Sequence, residues 1–150
     1  MATEHYYDVQ VKWNNGRIGT LTSAVLDDAI EVATPPEFTN GVPGIWSPEH
    51  LLVAAVNSCL MTTFLAIADN SKLNFTSFIS KATGKLEVVD GKYMISEITL
   101  MPEVAVPGQA DLERATRVLQ KAEANCLISN SVKAKIIFNP RVVTELPELV

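Results

Sequence analysis

Two cysteines are the residues of this chain with the most distinctive chemistry. Cys59 lies in the middle of a long apolar segment, and Cys126 follows a second segment with helical spacing. A thiol attacks or binds metals only as the thiolate, and burial among apolar neighbours opposes that ionisation. The plain interpretation of Cys59 is therefore an inert core residue. A reactive Cys59 would need a nearby cation.

Arg17 is the candidate for that cation, because it stands apart from other charges and begins the second strand of a predicted hairpin. Its plainer role is a solvated surface arginine, since long charged side chains are mostly exposed. Glu49 could orient and neutralise such an arginine. It could equally be a first-turn carboxylate that complements the dipole of a helix. The residues alone leave both alternatives open.

Cys126 is expected nearer to a surface or crevice than Cys59, at a helix end that can move toward a partner thiol. Its alternative is a second unpaired core cysteine.

The amino terminus has no apolar stretch resembling a secretion signal, so we expect a cytoplasmic protein. Reducing thiols in that compartment argue against a permanent structural disulfide and favour catalysis, redox sensing, metal binding or core filling.

Composition and spacing argue against several other functions. Across 150 residues the net charge is -5, with only 19% of residues charged, so no basic surface is expected to hold nucleic acid. The only histidines are His5 and His50, and the cysteines stand 67 positions apart, which is a poor metal-ligand spacing. Neither a Gly-x-Ser-x-Gly elbow nor a phosphate-binding glycine pattern occurs. No metal or cofactor is expected.

Hydrophobic periodicity predicts an α+β domain with hairpins at both ends and two unlike helices. Asn-Asn-Gly and Asp-Gly mark the two hairpin turns, and Ser47, Pro48 and Glu49 form a helix start. The first strand should bury one face, while the first helix, apolar nearly all round, should be buried on most faces. We predict strands at 7–13, 17–23, 29–33, 75–87, 92–101 and 132–138, and helices at 48–68 and 111–125, the second capped by Asp111.

Two segments have further alternatives. The apolar run 51–68 is nearly long enough for a membrane span, but it contains polar residues and lacks flanking cations, so we expect a buried helix. The loop 34–45, rich in proline and glycine, is long enough to border or cover a site. A simple surface connection is the other possibility.

The combined pattern resembles the OsmC/Ohr family of osmotically inducible and organic hydroperoxide resistance proteins. Trp46-Ser47-Pro48-Glu49-His50-Leu51-Leu52, followed by small residues and Cys59, is similar to the helix that carries the family's peroxidatic cysteine. Gly16-Arg17-Ile18-Gly19 resembles the family's early Arg-x-Gly segment, and Cys126 matches the second cysteine. The resemblance implies an OsmC-like fold over 1–150, with antiparallel sheets around a long central helix, in an intertwined homodimer.

The resemblance also implies a mechanism. Arg17 would activate Cys59, Glu49 would hold the arginine, and Cys59 would reduce an organic hydroperoxide and become a sulfenic acid. Cys126 would then form a disulfide with Cys59, which a dithiol such as a dihydrolipoyl group would reduce. Apolar residues near the site would favour bulky peroxides, and the candidates are Phe38, Ile45, Trp46 and Met61.

One geometric constraint bears on the assembly. Ten residues separate Glu49 from Cys59, so on one straight helix they would lie roughly 15 Å apart. One arginine could not easily touch both, so either the helix breaks or one site takes the two residues from different subunits. The rival to the enzyme is a non-catalytic dimer that binds a small apolar ligand or senses redox state.

Overall fold

The computed structural model describes residues 3–145 and contains two α-helices and seven strands in two sheets. The chain divides into two compact units, one ending at Leu51 and the other beginning at Leu52. The predicted α+β class is confirmed. The elements in chain order are β1 Gln10–Asn15, β2 Ile18–Thr22, β3 Ile30–Ala33, α1 Pro48–Asn70, β4 Ser77–Val89, β5 Lys92–Val106, α2 Leu112–Ala124, β6 Lys135–Phe138 and β7 Arg141–Thr144.

The amino-terminal unit contains an antiparallel sheet in the order β1-β2-β3. The predicted first hairpin is present, and Gly16 occupies the left-handed region with φ of 51°. Only a residue without a side chain adopts that conformation at little cost, which explains glycine at the turn. Arg17 is the second turn residue and not, as predicted, the first residue of the returning strand.

The apolar side chains of β1 are exposed, which corrects the prediction of one buried face. Val11 is 62% exposed and Trp13 is 73% exposed. The alternating pattern had identified the strand correctly, but its apolar side chains are not covered by any element of the amino-terminal unit within the described residues. Large exposed apolar patches commonly mark a surface that binds another protein or a ligand.

The second unit is organised around the long strand β5. β4 pairs with it antiparallel, while β6 and β7 pair with it in parallel, one after the other along the opposite edge. The predicted Asp90-Gly91 turn joins β4 to β5, and both residues have positive φ angles of 50° and 79°, as a two-residue hairpin turn requires. β7 was not predicted.

Helix α1 supplies the core of this unit through one face only. Val56, Leu60, Phe64 and Ala68 are buried at intervals of four residues, and the ring of Phe64 contacts two aromatic rings of the adjoining segments. Burial of Phe64 stabilises the fold by about 1.5–3 kcal/mol. The prediction of burial on most faces is wrong for the single chain, because Leu52, Met61 and Leu65 remain partly exposed.

By length and composition alone, α1 is the one helix within residues 3–145 that could cross a membrane. Its buried stripe packs into a protein core, as in the central helix of a soluble domain.

Helix α1 also approaches β4 closely at one glycine. A Cβ atom at Gly84 would lie 2.5 Å from a methyl group of Val53. Any larger residue at position 84 would therefore force the Val53 side chain or the helix to shift.

The two helix starts differ in their capping. The Ser47 hydroxyl accepts a hydrogen bond from the His50 amide at 3.1 Å, so the predicted cap of α1 is confirmed. Asp111 does precede α2, but it belongs to a 3-10 turn, and its side chain makes no capping hydrogen bond. The predicted apolar face of α2 is buried through Ala115, Val118, Leu119 and Ala122.

Candidate functional site

The two cysteines, far apart in sequence, are neighbours in the second unit. Cys59 faces outward from the middle of α1 and is partly exposed, whereas Cys126 follows α2 and is fully buried. The prediction that Cys126 is the nearer of the two to the surface is therefore wrong, because the end of α2 packs its apolar face into the core. Each thiol lies close enough to shift the pKa of the other. The sulfur of Cys126 also lies 4.0 Å from the carbonyl oxygen of Val56, one turn before Cys59. Both thiols are free in this structure.

The surroundings of Cys59 favour its thiolate. Burial raises the pKa of the Cys59 thiol, but hydrogen bonds from the Ile128 amide and the Cys126 thiol outweigh that effect, and the net pKa is lowered. The hydroxyl of Thr63, whose oxygen lies 3.9 Å from the sulfur, and the amide of Leu127 lower the pKa further. The sequence had suggested a cation for this purpose. Here neutral donors already supply part of the stabilisation.

The pKa of Cys126 shifts in the opposite direction. Burial raises it, the hydroxyl and amide of Ser129 oppose that rise, and the nearby Cys59 thiol raises the pKa again. The pair is therefore asymmetric. Cys59 ionises first and remains accessible, while Cys126 stays a thiol that can donate to its neighbour. This order matches a nucleophilic cysteine followed by a resolving cysteine.

A tight turn after α2 supplies the amide donors. The Asn130 amide bonds the Cys126 carbonyl at 3.1 Å, and the Ser131 amide bonds the Ile128 carbonyl at 2.9 Å. The first amides of a helical turn have no partner within that turn, so those of Leu127 and Ile128 are available to the Cys59 sulfur. Sequence reasoning missed these donors. Backbone groups leave no residue signature, and only the polar Ser-Asn-Ser segment marked the turn.

Two side chains hold α1 against β4 close to Cys59. The Asn57 amide donates to the Ser80 carbonyl at 2.8 Å, and the Ser80 hydroxyl donates to the Asn57 side-chain oxygen at 2.6 Å. Such a reciprocal pair fixes the rotation of the helix about its axis. It therefore helps to keep the Cys59 sulfur directed at the turn that follows Cys126.

Arg17 and Glu49 lie in the amino-terminal unit. Arg17 is exposed in a groove of about 450 Å³ lined mainly by Val11, Trp13 and Val32, and it makes no ion pair within residues 3–145. One carboxylate oxygen of Glu49 is buried without a hydrogen-bond partner among the described residues. Arg17 can therefore still form an ion pair, and the buried oxygen of Glu49 can still accept a hydrogen bond. Their association with Cys59 stays a prediction.

Three of the four predicted substrate residues lie in the connection between β3 and α1, and the fourth lies on α1. Ile45 and Trp46 line a shallow groove of about 310 Å³ together with His50. The Ser47 hydroxyl bonds Nδ1 of His50 at 2.7 Å, and the imidazole ring contacts Trp46 edge to face. Phe38 lies in the preceding loop, and Met61 lies on α1 in the second unit.

No cluster of three or more histidine, cysteine, aspartate or glutamate residues that could hold a metal ion occurs within residues 3–145.

We predict that the reactivity of Cys59 extends to lower pH than that of an ordinary thiol. Alkylation by iodoacetamide should rise with pH and inflect below the usual thiol pKa of about 8.5, because the folded protein lowers the pKa of Cys59. The corresponding stabilisation is present above the unfolded pKa and is lost as pH falls through the folded pKa. An inflection at or above that of free cysteine, with Cys59→Ser as the blank, would contradict the geometry.

Comparisons with known proteins agree on one family. The sequence model described as OsmC-like protein matches residues 41–141. The chain is 28% identical over 131 residues to peroxiredoxin OsmC of Escherichia coli, covering 87% of this chain and 88% of that protein. It is 26% identical over 141 residues to the uncharacterized protein YmaD of Bacillus subtilis, covering 91% of each.

Solved structures show the same fold. An OsmC-like protein of unknown function from Vibrio cholerae superposes with a TM-score of 0.82 at 24% identity, covering 91% of this chain and 99% of that one. An organic hydroperoxide resistance protein from Elizabethkingia anophelis gives a TM-score of 0.71 at 21% identity, covering 97% of this chain and 100% of the other. At these identities the likeness establishes the architecture alone.

Proposed function

The chain belongs to the OsmC-like protein family, and from that membership we propose that it is a thiol peroxidase that reduces organic hydroperoxides. A relative named as a peroxiredoxin supports a peroxidase-like role. The observation that carries the proposal is the thiol pair. An accessible cysteine with a lowered pKa contacts a buried cysteine with a raised one.

In the first step the Cys59 thiolate attacks the terminal oxygen of the hydroperoxide. The oxygen-oxygen bond breaks, the alcohol leaves with a proton from solvent, and Cys59 becomes a sulfenic acid. The amides of Leu127 and Ile128 and the Thr63 hydroxyl stabilise the thiolate before attack. The Arg17 guanidinium would donate to the peroxide and stabilise the charge that develops on the leaving oxygen.

In the second step Cys126 condenses with the sulfenic acid, releasing water and forming a Cys59–Cys126 disulfide. The closeness of the two thiols, each of which shifts the pKa of the other, supports this step. An external dithiol such as a dihydrolipoyl group then restores both thiols. We propose that the protein acts in the cytoplasm, where the reducing environment keeps thiols available.

We propose that the working form is an intertwined homodimer in which the chain, 1–150, acts as a single OsmC-like domain. Helix α1 continues without a break from Pro48 to Asn70, so Glu49 and Cys59 of one chain lie roughly 15 Å apart along it. The unused groups of Arg17 and Glu49 and the exposed apolar residues of β1 and α1 support completion of the site by a partner subunit.

A second candidate function is supported by the groove beside Arg17. Its apolar lining and volume of about 450 Å³ would suit a small apolar ligand with an anionic group, and a protein with that role could use the cysteines only to sense redox state. Thiol chemistry separates the two functions. The enzyme must consume peroxide repeatedly, whereas a binding module would bind its ligand with both cysteines replaced by serine.

We predict a preference for bulky organic hydroperoxides over hydrogen peroxide. The proposed substrate contacts of Phe38, Ile45, Trp46 and Met61 would bury the apolar part of the substrate, at about 0.8 kcal/mol per methylene group. Cumene hydroperoxide should therefore react at least tenfold faster than hydrogen peroxide. A tenfold difference in rate corresponds to roughly 1.4 kcal/mol of additional transition-state stabilisation. Equal values of kcat/KM for the two peroxides would contradict the role of these residues, and Trp46→Ala should selectively slow the aryl substrate.

A further inference from the structure

Ser129 has a buried hydroxyl whose role is not explained by the fold. Its oxygen is inaccessible and has no hydrogen-bond partner among the described residues, and Ser129 lies in the turn that the Asn130 amide closes onto the Cys126 carbonyl. It nevertheless lies close enough to the Cys126 sulfur to favour negative charge there, as does its own amide. A buried donor with no committed acceptor costs stability, so a residue of this kind calls for a functional explanation.

Access to the two sulfurs decides which one the reductant attacks and which one leaves. Cys126 is fully buried, whereas Cys59 is partly exposed. An external thiolate therefore reaches Cys59, and the electron pair of the disulfide bond must leave with Cys126. A buried thiolate next to Cys59 is a poor leaving group unless nearby donors stabilise it, because thiols of lower pKa leave faster.

We infer that the Ser129 hydroxyl is a catalytic hydrogen-bond donor to the Cys126 sulfur whenever the Cys59–Cys126 disulfide opens or closes. The hydroxyl keeps its proton, since a serine alcohol is a far weaker acid than a thiol. It can donate to the sulfur as charge develops there, because no acceptor among the described residues engages it. This inference rests on the proposed disulfide cycle and assigns a further residue to it.

The chemical step balances with a dithiol reductant. One reductant thiolate attacks the Cys59 sulfur, the bond between the protein sulfurs breaks, and Cys126 leaves as a thiolate held by Ser129. The second reductant thiol then displaces Cys59 from the mixed disulfide. The reductant is oxidised to its disulfide, both protein cysteines are reduced, and they recover the protons released by the reductant thiols.

The test uses the full-length protein oxidised with diamide, so that no peroxidase activity is needed to form the disulfide. With excess dithiothreitol, Ser129→Ala should open the disulfide about tenfold more slowly than the wild type, the effect of losing one hydrogen bond to a charged group. Ser129→Thr keeps the hydroxyl and should recover most of the rate. Ser131→Ala is the matched control, because Ser131 donates to the Leu127 carbonyl at 3.0 Å in the same turn.

A second measurement separates a chemical role from a structural one. In a Cys59→Ser background, ultraviolet thiolate absorbance should show that Ser129→Ala raises the pKa of Cys126, whereas Ser131→Ala leaves it unchanged. Wild-type opening rates and an unshifted pKa in Ser129→Ala, or an equal loss in Ser131→Ala, would overturn the inference. If wild-type protein opens normally with dithiothreitol but never reacts with peroxide, the proposed function fails and the role of Ser129 at the disulfide still stands.

Discussion

Cys59→Ser should reduce the turnover of cumene hydroperoxide by on the order of a thousandfold or more, with dihydrolipoamide as reductant. A serine hydroxyl stays protonated near neutral pH and cannot attack the peroxide, whatever donors surround it. Ser58→Ala is a suitable control, because Ser58 neighbours Cys59 on the helix and bonds only the Ala55 carbonyl, at 3.3 Å. That variant should turn over at close to the wild-type rate.

Cys126→Ser separates the two steps of the cycle. It should consume about one peroxide per subunit in a rapid first reaction and then stop, because no thiol remains to resolve the sulfenic acid. Excess peroxide should convert Cys59 to the sulfinic acid, which mass spectrometry detects. Sustained wild-type turnover by Cys126→Ser would show that Cys126 has no resolving role, and turnover by Cys59→Ser would exclude Cys59 as the nucleophile.

Arg17→Ala should lower kcat/KM for cumene hydroperoxide by about a hundredfold, while the protein remains folded. The guanidinium would stabilise both the thiolate and the leaving oxygen, and removal of one such donor costs on the order of a hundredfold in other enzymes. Arg17→Lys should recover only part of the rate, since lysine keeps the charge but not the planar pair of donors. Arg114→Ala, at an exposed arginine of α2, is the charge-matched control.

Mixed dimers test whether the same site draws on two subunits. Glu49→Ala chains keep Cys59, and Cys59→Ser chains keep Glu49, so neither homodimer should turn over normally. If the carboxylate and the cysteine of one site come from different chains, a mixed dimer contains one intact site and one doubly defective site. Its activity should approach half the wild-type value. If the mixed dimer shows no recovered activity, Glu49 and Cys59 of one site come from the same chain.

For the arginine, the contradicting result is a wild-type rate in Arg17→Ala, which would exclude Arg17 from the mechanism.

The elements that depend on local pattern were predictable. Both hairpins, the helix cap at Ser47 and the apolar face of α2 follow from turn residues and periodicity, which act over a few positions. Element boundaries were less accurate, and β5 extends to Val106, beyond its predicted end. β7 was missed because four residues after Asn139-Pro140 carry too little periodicity, and its pairing with β5 is a tertiary contact.

The candidate site was predictable in part, for a similar reason. Residue type singled out the two cysteines, and the structure brings them into contact. Backbone amides from a turn nearly seventy positions away help to lower the pKa of Cys59. Backbone donors of this kind cannot be predicted from residue types. Burial was misjudged in β1 and α1 because an apolar pattern identifies a face that avoids water. It does not say whether the same chain or a partner covers that face.

The most direct test is to add an equimolar amount of cumene hydroperoxide to the fully reduced protein and to map the thiols by mass spectrometry. The proposed mechanism predicts loss of both thiols, release of the alcohol in equal amount and a disulfide between Cys59 and Cys126 of the same chain. Unreacted peroxide with both thiols still free, under conditions in which the protein is folded, would contradict the assignment of a two-cysteine peroxidase.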